Sequence, residues 1–121
     1  MSAELPPQVQ NQIAQLQQVQ QQIQALAMQK SQLEAMQKES GMALEELEKL
    51  AEDAVVYRNV GDLVIKTSRN EALDKLKDRQ ETVSLRLQSI ARQEERLANR
   101  FKQLQEQIQQ AMGMRETPQA E

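Results

Sequence analysis

The chain has 121 residues, a net charge of −3 and a composition poor in the residues of a packed globular core. It contains one Phe, one Tyr and no Trp, whereas Gln, Glu, Lys, Arg, Ala and Leu dominate. Such helix-forming, aromatic-poor compositions are typical of coiled coils. Because Cys and His are absent, disulfides, thiolate or imidazole metal sites and an imidazole general base are excluded. The net negative charge gives no electrostatic basis for binding nucleic acid or an anionic membrane.

The N-terminal segment lacks the basic and apolar regions of a signal peptide, and no apolar run is long enough to span a membrane. There is also no Gly-rich phosphate loop, and the carboxylate pairs fall on exposed helix positions. We therefore expect a soluble, cytoplasmic protein that is not an enzyme. We expect no catalytic, cofactor-binding or metal-binding residues.

The first predicted element is a long helix over residues 7–53, which follows a short N-terminal tail. Its apolar residues recur at spacings of three and four, as in a coiled-coil heptad. These heptad core residues are Val9, Ile13, Leu16, Val19, Ile23, Leu26, Leu33, Leu44, Leu47, Ala51 and Ala54. Polar residues occupy the intervening core positions Lys30, Gln37 and Ser40, and Gly41 follows. That segment is either a functional joint or a local weak spot.

Residues 54–67 are the only part of the chain with β character, and they predict a hairpin that turns at Asn59 to Asp62. Neighbouring residues in each strand are both apolar, so both faces of the hairpin carry apolar groups. An isolated hairpin is only marginally stable and leaves its edges unpaired. We therefore expect it to pair with hairpins of other subunits, although it could instead fold back on its own helices. The predicted oligomerisation residues are Val55, Val56, Tyr57, Leu63, Val64 and Ile65.

A second helix is predicted over residues 68–112, because Ser68 and Glu71 form the pattern of a capping box before an apolar run. Its heptad is uninterrupted: Leu73, Leu76, Gln80, Val83, Leu87, Ile90, Glu94, Leu97, Phe101, Leu104, Ile108 and Ala111. Gly113 is expected to end the helix, leaving residues 113–121 as a disordered tail. The fold class is thus mainly α, with two long helices in an antiparallel coiled coil joined by a central β-hairpin.

Antiparallel pairing brings the start of the first helix to the end of the second. There the apolar side chains have few neighbours, so they are expected to stay partly exposed. These tip residues are Leu5, Val9, Ile13, Ile108 and Met112. They form either an adhesive site for unfolded chains or an ordinary frayed coiled-coil end.

The whole chain resembles the β-class subunits of prefoldin. The resemblance rests on the hairpin motif from Ala54 to Ile65, on the Gln-rich first helix and on the segment from Arg92 to Arg96. A single hairpin points to the β class, because α-class subunits carry a second one. All 121 residues would then form one prefoldin-like subunit.

The resemblance implies a hetero-hexamer of two α-class and four β-class chains, whose hairpins form an intersubunit β-barrel. It also implies an ATP-independent holdase that binds non-native proteins through the tip residues and delivers them to a group II chaperonin. Glu4, Glu116 and Glu121 would face a basic chaperonin surface. Two other classes remain open. A structural coiled-coil tether would explain the heptads but not the two-faced hairpin, and a nucleic-acid-binding dimer would need a basic extension.

Overall fold

The computed structural model describes the backbone of residues 5–115 and the side chains of residues 5–113. Its elements, in chain order, are helix α1 (Pro7–Glu48), strands β1 (Val55–Val60) and β2 (Leu63–Ser68), and helix α2 (Arg69–Arg115). The two strands pair antiparallel as one sheet. This confirms the predicted class, a mainly helical chain with two long helices and a central hairpin.

Helix α1 ends at Glu48, whereas the heptad pattern predicted helix as far as residue 53. After Glu48, the backbone N–H groups of Lys49 and Leu50 donate to carbonyls three residues earlier, which tightens and ends the helix. The carbonyls of Leu47 and Glu48 accept hydrogen bonds from the side chain of Arg69, at 3.0 and 3.3 Å. The prediction of helix over residues 49–53 is therefore wrong, and the guanidinium of Arg69 caps the last carbonyls of α1 instead.

The hairpin turns more tightly than the sequence predicted. Val60 pairs directly with Leu63, so the turn contains only Gly61 and Asp62. Gly61 has a φ of 59°, which the two-residue hairpin turns require at their first central position and which glycine adopts without steric cost. The resulting register places Val55 opposite Ser68, which is also the residue that precedes α2.

Helix α2 begins as its capping pattern predicted. The hydroxyl of Ser68 accepts a hydrogen bond of 3.1 Å from the backbone N–H of Glu71, so one free donor of the first turn is satisfied. The carboxylate of Glu71 accepts a hydrogen bond of 2.9 Å from the Thr67 hydroxyl. At its other end α2 continues to Arg115, so the predicted end at residue 112 is wrong. A single glycine costs a helix only about 1 kcal/mol, and Gly113 lies inside the last turns. The rest of the predicted tail, residues 116–121, lies outside the described residues.

The chain divides into two compact units, and both helices contribute to each. One unit comprises residues up to Gln29 and from Ile90 onward, and the other comprises Lys30–Ser89. Cross-helix hydrogen bonds from Gln12 to Gln107 and from Arg100 to Gln15 show that the helices run antiparallel within the first unit. In the second unit, Arg69 reaches the last carbonyls of α1, and Gln80 lies farther back beside Gly41, so the direction is the same.

The buried residues of both units are heptad core residues. Those of the first unit are Val9, Val19, Leu26, Ile90 and Leu104, and those of the second are Leu33, Leu73 and Val83. Ser40 is also buried, and α1 remains helical through Ser40 and Gly41. Two core assignments are wrong: Ala51 is exposed beyond the end of α1, and Gln37 is exposed with Met36 half-buried in its place. The three-to-four spacing allows either residue to face the partner helix, and the apolar methionine gains more from burial.

Candidate functional site

The hairpin exposes most of the apolar residues that were predicted to join subunits. Five of them are exposed, with an exposed fraction that ranges from 39% for Ile65 to 66% for Val64. The five are Val55, Tyr57, Leu63, Val64 and Ile65. Val60, which the sequence analysis did not select, is 43% exposed. Six apolar residues on one short hairpin are thus each more than one third exposed in the part of the chain that the structure describes.

Val56 is the exception among the predicted oligomerisation residues, because it is half-buried. It lines a hollow of about 440 Å³ together with Leu47 of α1 and Ala72 and Leu76 of α2. Its strand partner Thr67 is likewise half-buried. The sheet face that carries Val56 therefore rests on the helices at its base, and Val56 helps to fix the hairpin there.

The strand register assigns the exposed apolar residues to both faces of the sheet. Residues directly opposite each other on antiparallel strands point to the same face. Val55, Tyr57 and Asn59 alternate along β1 and therefore share one face. Val64 lies on the same face because it pairs with Asn59, as does Lys66, which pairs with Tyr57. Val60 and Leu63 form a pair on the other face. Both faces are apolar, as predicted, and the face with Val55, Tyr57 and Val64 is exposed at all three residues.

Arg69 fixes the base of the hairpin, and the sequence analysis did not identify it. Its Nε donates to the Leu47 carbonyl at 3.0 Å, its Nη2 donates to the Glu48 carbonyl at 3.3 Å, and its Nη1 donates to Asn70 Oδ1 at 3.2 Å. As the first residue of α2 it thus connects the two helices at the point where the strands leave them. No short motif marks this role, since it depends on two carbonyls more than twenty residues earlier.

The tip residues lie in the other unit, and four of the five are half-buried: Leu5, Ile13, Ile108 and Met112. Val9 is only 1% exposed, so the expectation that it stays partly exposed is wrong. Gln10 hydrogen-bonds the carbonyls of Pro6 and Leu5, which holds the first turn of α1. Ala111 of α2 lines the same groove as Val9. The acidic residues Glu4, Glu116 and Glu121 lie outside the described residues.

A groove of about 580 Å³ separates the start of α1 from the end of α2. Its lining includes four glutamines, Gln8, Gln12, Gln107 and Gln110, as well as Pro6 and Val9. Gln12 Nε2 donates to Gln107 Oε1 at 3.5 Å, which is a long hydrogen bond. Gln12 Oε1 is buried and accepts no hydrogen bond from the described residues. These residues were not among the predicted site residues, although the first helix is visibly rich in glutamine.

The described residues contain no group of three or more His, Cys, Asp or Glu side chains that could hold a metal ion. Within the same part of the chain, neither helix is long and apolar enough to cross a membrane.

Comparisons with known proteins agree with this architecture over almost the whole chain. The family model described as "Prefoldin subunit" matches residues 10–115. The protein named prefoldin subunit beta of Methanosarcina acetivorans is 83% identical over 113 residues, covering 93% of this chain and 97% of that protein. The prefoldin subunit beta of Pyrococcus furiosus is 44% identical over 108 residues, covering 89% and 92% of the two chains. A crystal structure of the prefoldin beta subunit from Thermococcus strain KS-1 matches with a TM-score of 0.82 at 42% identity, covering 91% of this chain and 96% of that one.

Proposed function

Because this chain belongs to the prefoldin subunit family, we propose that it is part of an ATP-independent holdase, which binds non-native proteins and delivers them to a group II chaperonin. The observation that carries this proposal is its likeness to prefoldin β subunits, which covers nearly all of both chains. The exposed hairpin and the half-buried tip residues are the two surfaces through which such a subunit would work.

The hairpin is the proposed assembly surface. Covering its six exposed apolar side chains with neighbouring hairpins would contribute on the order of 5–10 kcal/mol per subunit at about 25 cal/mol per Å². Backbone pairing at the open strand edges would add to this. These features support assembly through an intersubunit β-barrel. Membership of the prefoldin family supports a hetero-hexamer of two α-class and four β-class chains in the cytoplasm. Val55, Tyr57, Leu63, Val64 and Ile65 would contribute most, whereas Val56 mainly supports the hairpin.

The tip residues are the proposed binding surface for non-native proteins. Leu5, Ile13, Ile108 and Met112 are accessible in part, whereas Val9 would contact a client only after the helices separate locally. Each tip offers little apolar area, so its affinity alone is low. Several tips that hold one flexible chain gain avidity through effective concentration, and release then needs no nucleotide.

Light scattering from an aggregating unfolded protein, without ATP, tests this function. The chain is assembled with its α-class partner, and the unaltered assembly is compared with Met112→Gln and Met28→Gln. Met28 is the matched control, because it is an exposed methionine of the same unit outside the tip residues. We expect the unaltered assembly and Met28→Gln to suppress scattering, and Met112→Gln to suppress it less.

An unaltered assembly that leaves scattering unchanged would exclude the holdase and favour the structural tether. Equal loss in both methionine variants would place the binding surface outside the tip residues. These two outcomes separate the function from its assigned site.

A further inference from the structure

The groove between the start of α1 and the end of α2 is lined by carboxamides and lacks charge. Residues 5–29 contain no Asp, Glu, Lys or Arg, although charged residues make up 27% of the whole chain. The lining residues from α2, which include Gln107 and Gln110, are uncharged as well. A surface of this kind cannot select a ligand by charge. It can recognise a ligand through hydrogen bonds that each carboxamide can both donate and accept.

Gln12 has a buried carboxamide oxygen whose hydrogen bonding is incomplete. Among the described residues, its Oε1 accepts no hydrogen bond and its Nε2 donates to Gln107 Oε1 at 3.5 Å. A buried acceptor without a donor is unfavourable, because it has lost its interaction with water. Gln12 lines the groove, so a ligand that lies there is next to its carboxamide. A ligand that supplies an N–H donor can complete the hydrogen bonding of this side chain.

The dimensions of the groove suit a short stretch of main chain. From Pro6 to Gln12 the α1 side extends about 9 Å, at ~1.5 Å per helical residue. An extended polypeptide advances about 3.3 Å per residue, so roughly three residues of it lie along this wall. The volume of about 580 Å³ falls within the range of small-ligand sites.

We propose that this groove binds the extended main chain of a non-native polypeptide through glutamine carboxamides, with a client N–H donating to Gln12 Oε1. Client carbonyls accept from the carboxamide N–H groups of Gln8 and Gln110. The main chain is common to all unfolded proteins, so recognition is independent of client sequence and charge. The inference rests on the proposed holdase function and adds hydrogen bonding to the contacts of the apolar tip residues.

The test compares two labelled peptides by fluorescence anisotropy with the full-length chain. One is a short, uncharged, unstructured peptide, and the other is the same peptide with its three central amides N-methylated. N-methylation removes the main-chain donors, so we expect about tenfold weaker binding of the methylated peptide. A tenfold change in the dissociation constant corresponds to the loss of one modest hydrogen bond. In Gln12→Leu the two peptides should bind equally.

Gln20→Leu is the matched control, because it makes the same change at an exposed position of α1 in the same unit. It should retain the preference for the unmethylated peptide. Gln12→Met keeps the length and flexibility of the side chain and gives the same readout if leucine disturbs the packing.

Two results would overturn the inference. One is a preference for the unmethylated peptide that is the same in the unaltered chain and in both Gln12 variants. The other is equal binding of the two peptides by the unaltered chain. A chain that suppresses aggregation but binds neither peptide would overturn the inference and leave the holdase function standing. Loss of both activities would overturn both.

Discussion

Arg69 offers the sharpest test of how the hairpin is held on the helices. Its guanidinium donates to the carbonyls of Leu47 and Glu48, the last residues of α1, and to the side chain of Asn70. The last carbonyls of a helix lack partners within the helix and carry partial negative charge. A fixed cation there both satisfies hydrogen bonds and interacts with the helix dipole. We expect Arg69→Ala to destabilise the second unit.

The magnitude follows from these contacts. A hydrogen bond to a charged group contributes about 1.5–3 kcal/mol when well formed, and a cation at a helix C-terminus about 0.3–1 kcal/mol. Arg69 is only half-buried, and the Leu47 carbonyl keeps a second hydrogen bond of 3.1 Å from Leu50. Water can therefore replace part of what is lost. The expected decrease in the free energy of unfolding is about 2 kcal/mol.

Urea unfolding followed by circular dichroism, at one fixed protein concentration, measures this decrease. With an m-value of about 2 kcal/mol/M, the midpoint should fall by about 1 M. Arg86→Ala is the control, because Arg86 is exposed on the same helix of the same unit and the change in helix propensity is identical. It should stay within about 0.5 kcal/mol of the unaltered chain. Arg69→Lys keeps the charge but lacks the planar fork of donors, so it should fall between the two. If Arg69→Ala and Arg86→Ala unfold at the same midpoint, the assigned role of Arg69 is refuted.

Two further predictions concern assembly and the glycines. Val64→Asp should reduce the assembled mass measured by size exclusion with light scattering, because an unpaired carboxylate in a covered interface costs several kcal/mol. Met42→Asp, at another exposed position of the same unit, should assemble normally, and equal masses would contradict the proposed interface. Gly61→Ala should lower the thermal midpoint through a cost of about 1 kcal/mol, because φ is 59° there. Gly113→Ala should raise it by up to about 1 kcal/mol, because the helix is favoured and the added Cβ meets no atom within 4 Å. Shifts of the same sign in both variants would contradict this.

The periodicity of the sequence was sufficient to predict the two helices, because the apolar positions of a heptad indicate which side of the helix is covered. All twelve heptad core positions of α2 are buried or half-buried. The end of α1 was not predictable in this way. Ala51 and Ala54 continue its spacing, and no glycine or proline interrupts residues 49–53. At this end Arg69 donates to the carbonyls of Leu47 and Glu48, and that contact exists only after the chain has folded back.

In the hairpin, too, some features could be predicted from neighbouring residues, whereas another depends on contacts with distant residues. Its strands and turn follow from residue types that are close in sequence. Because both strand faces are apolar, however, the pattern cannot determine which face rests on the helices. The register resolves this, since Val56 and Thr67 oppose each other and are both half-buried. Val56 is therefore half-buried, whereas the other predicted oligomerisation residues are exposed. The alternation of residues along the strand could not predict this difference.

At the start of α1, exposure was predicted because these residues lie near a chain end, whereas their packing against α2 decides it. Val9 is 1% exposed and lines a groove with Gln107 and Ala111, which precede the predicted end of α2. The carboxamide oxygen of Gln12, in the same groove, is also buried. Glutamine at an exposed helix position is merely a well-solvated helix former, but at a covered position it needs a partner. The composition shows that the first helix is rich in glutamine, and only the packing distinguishes Gln12 by its buried carboxamide oxygen.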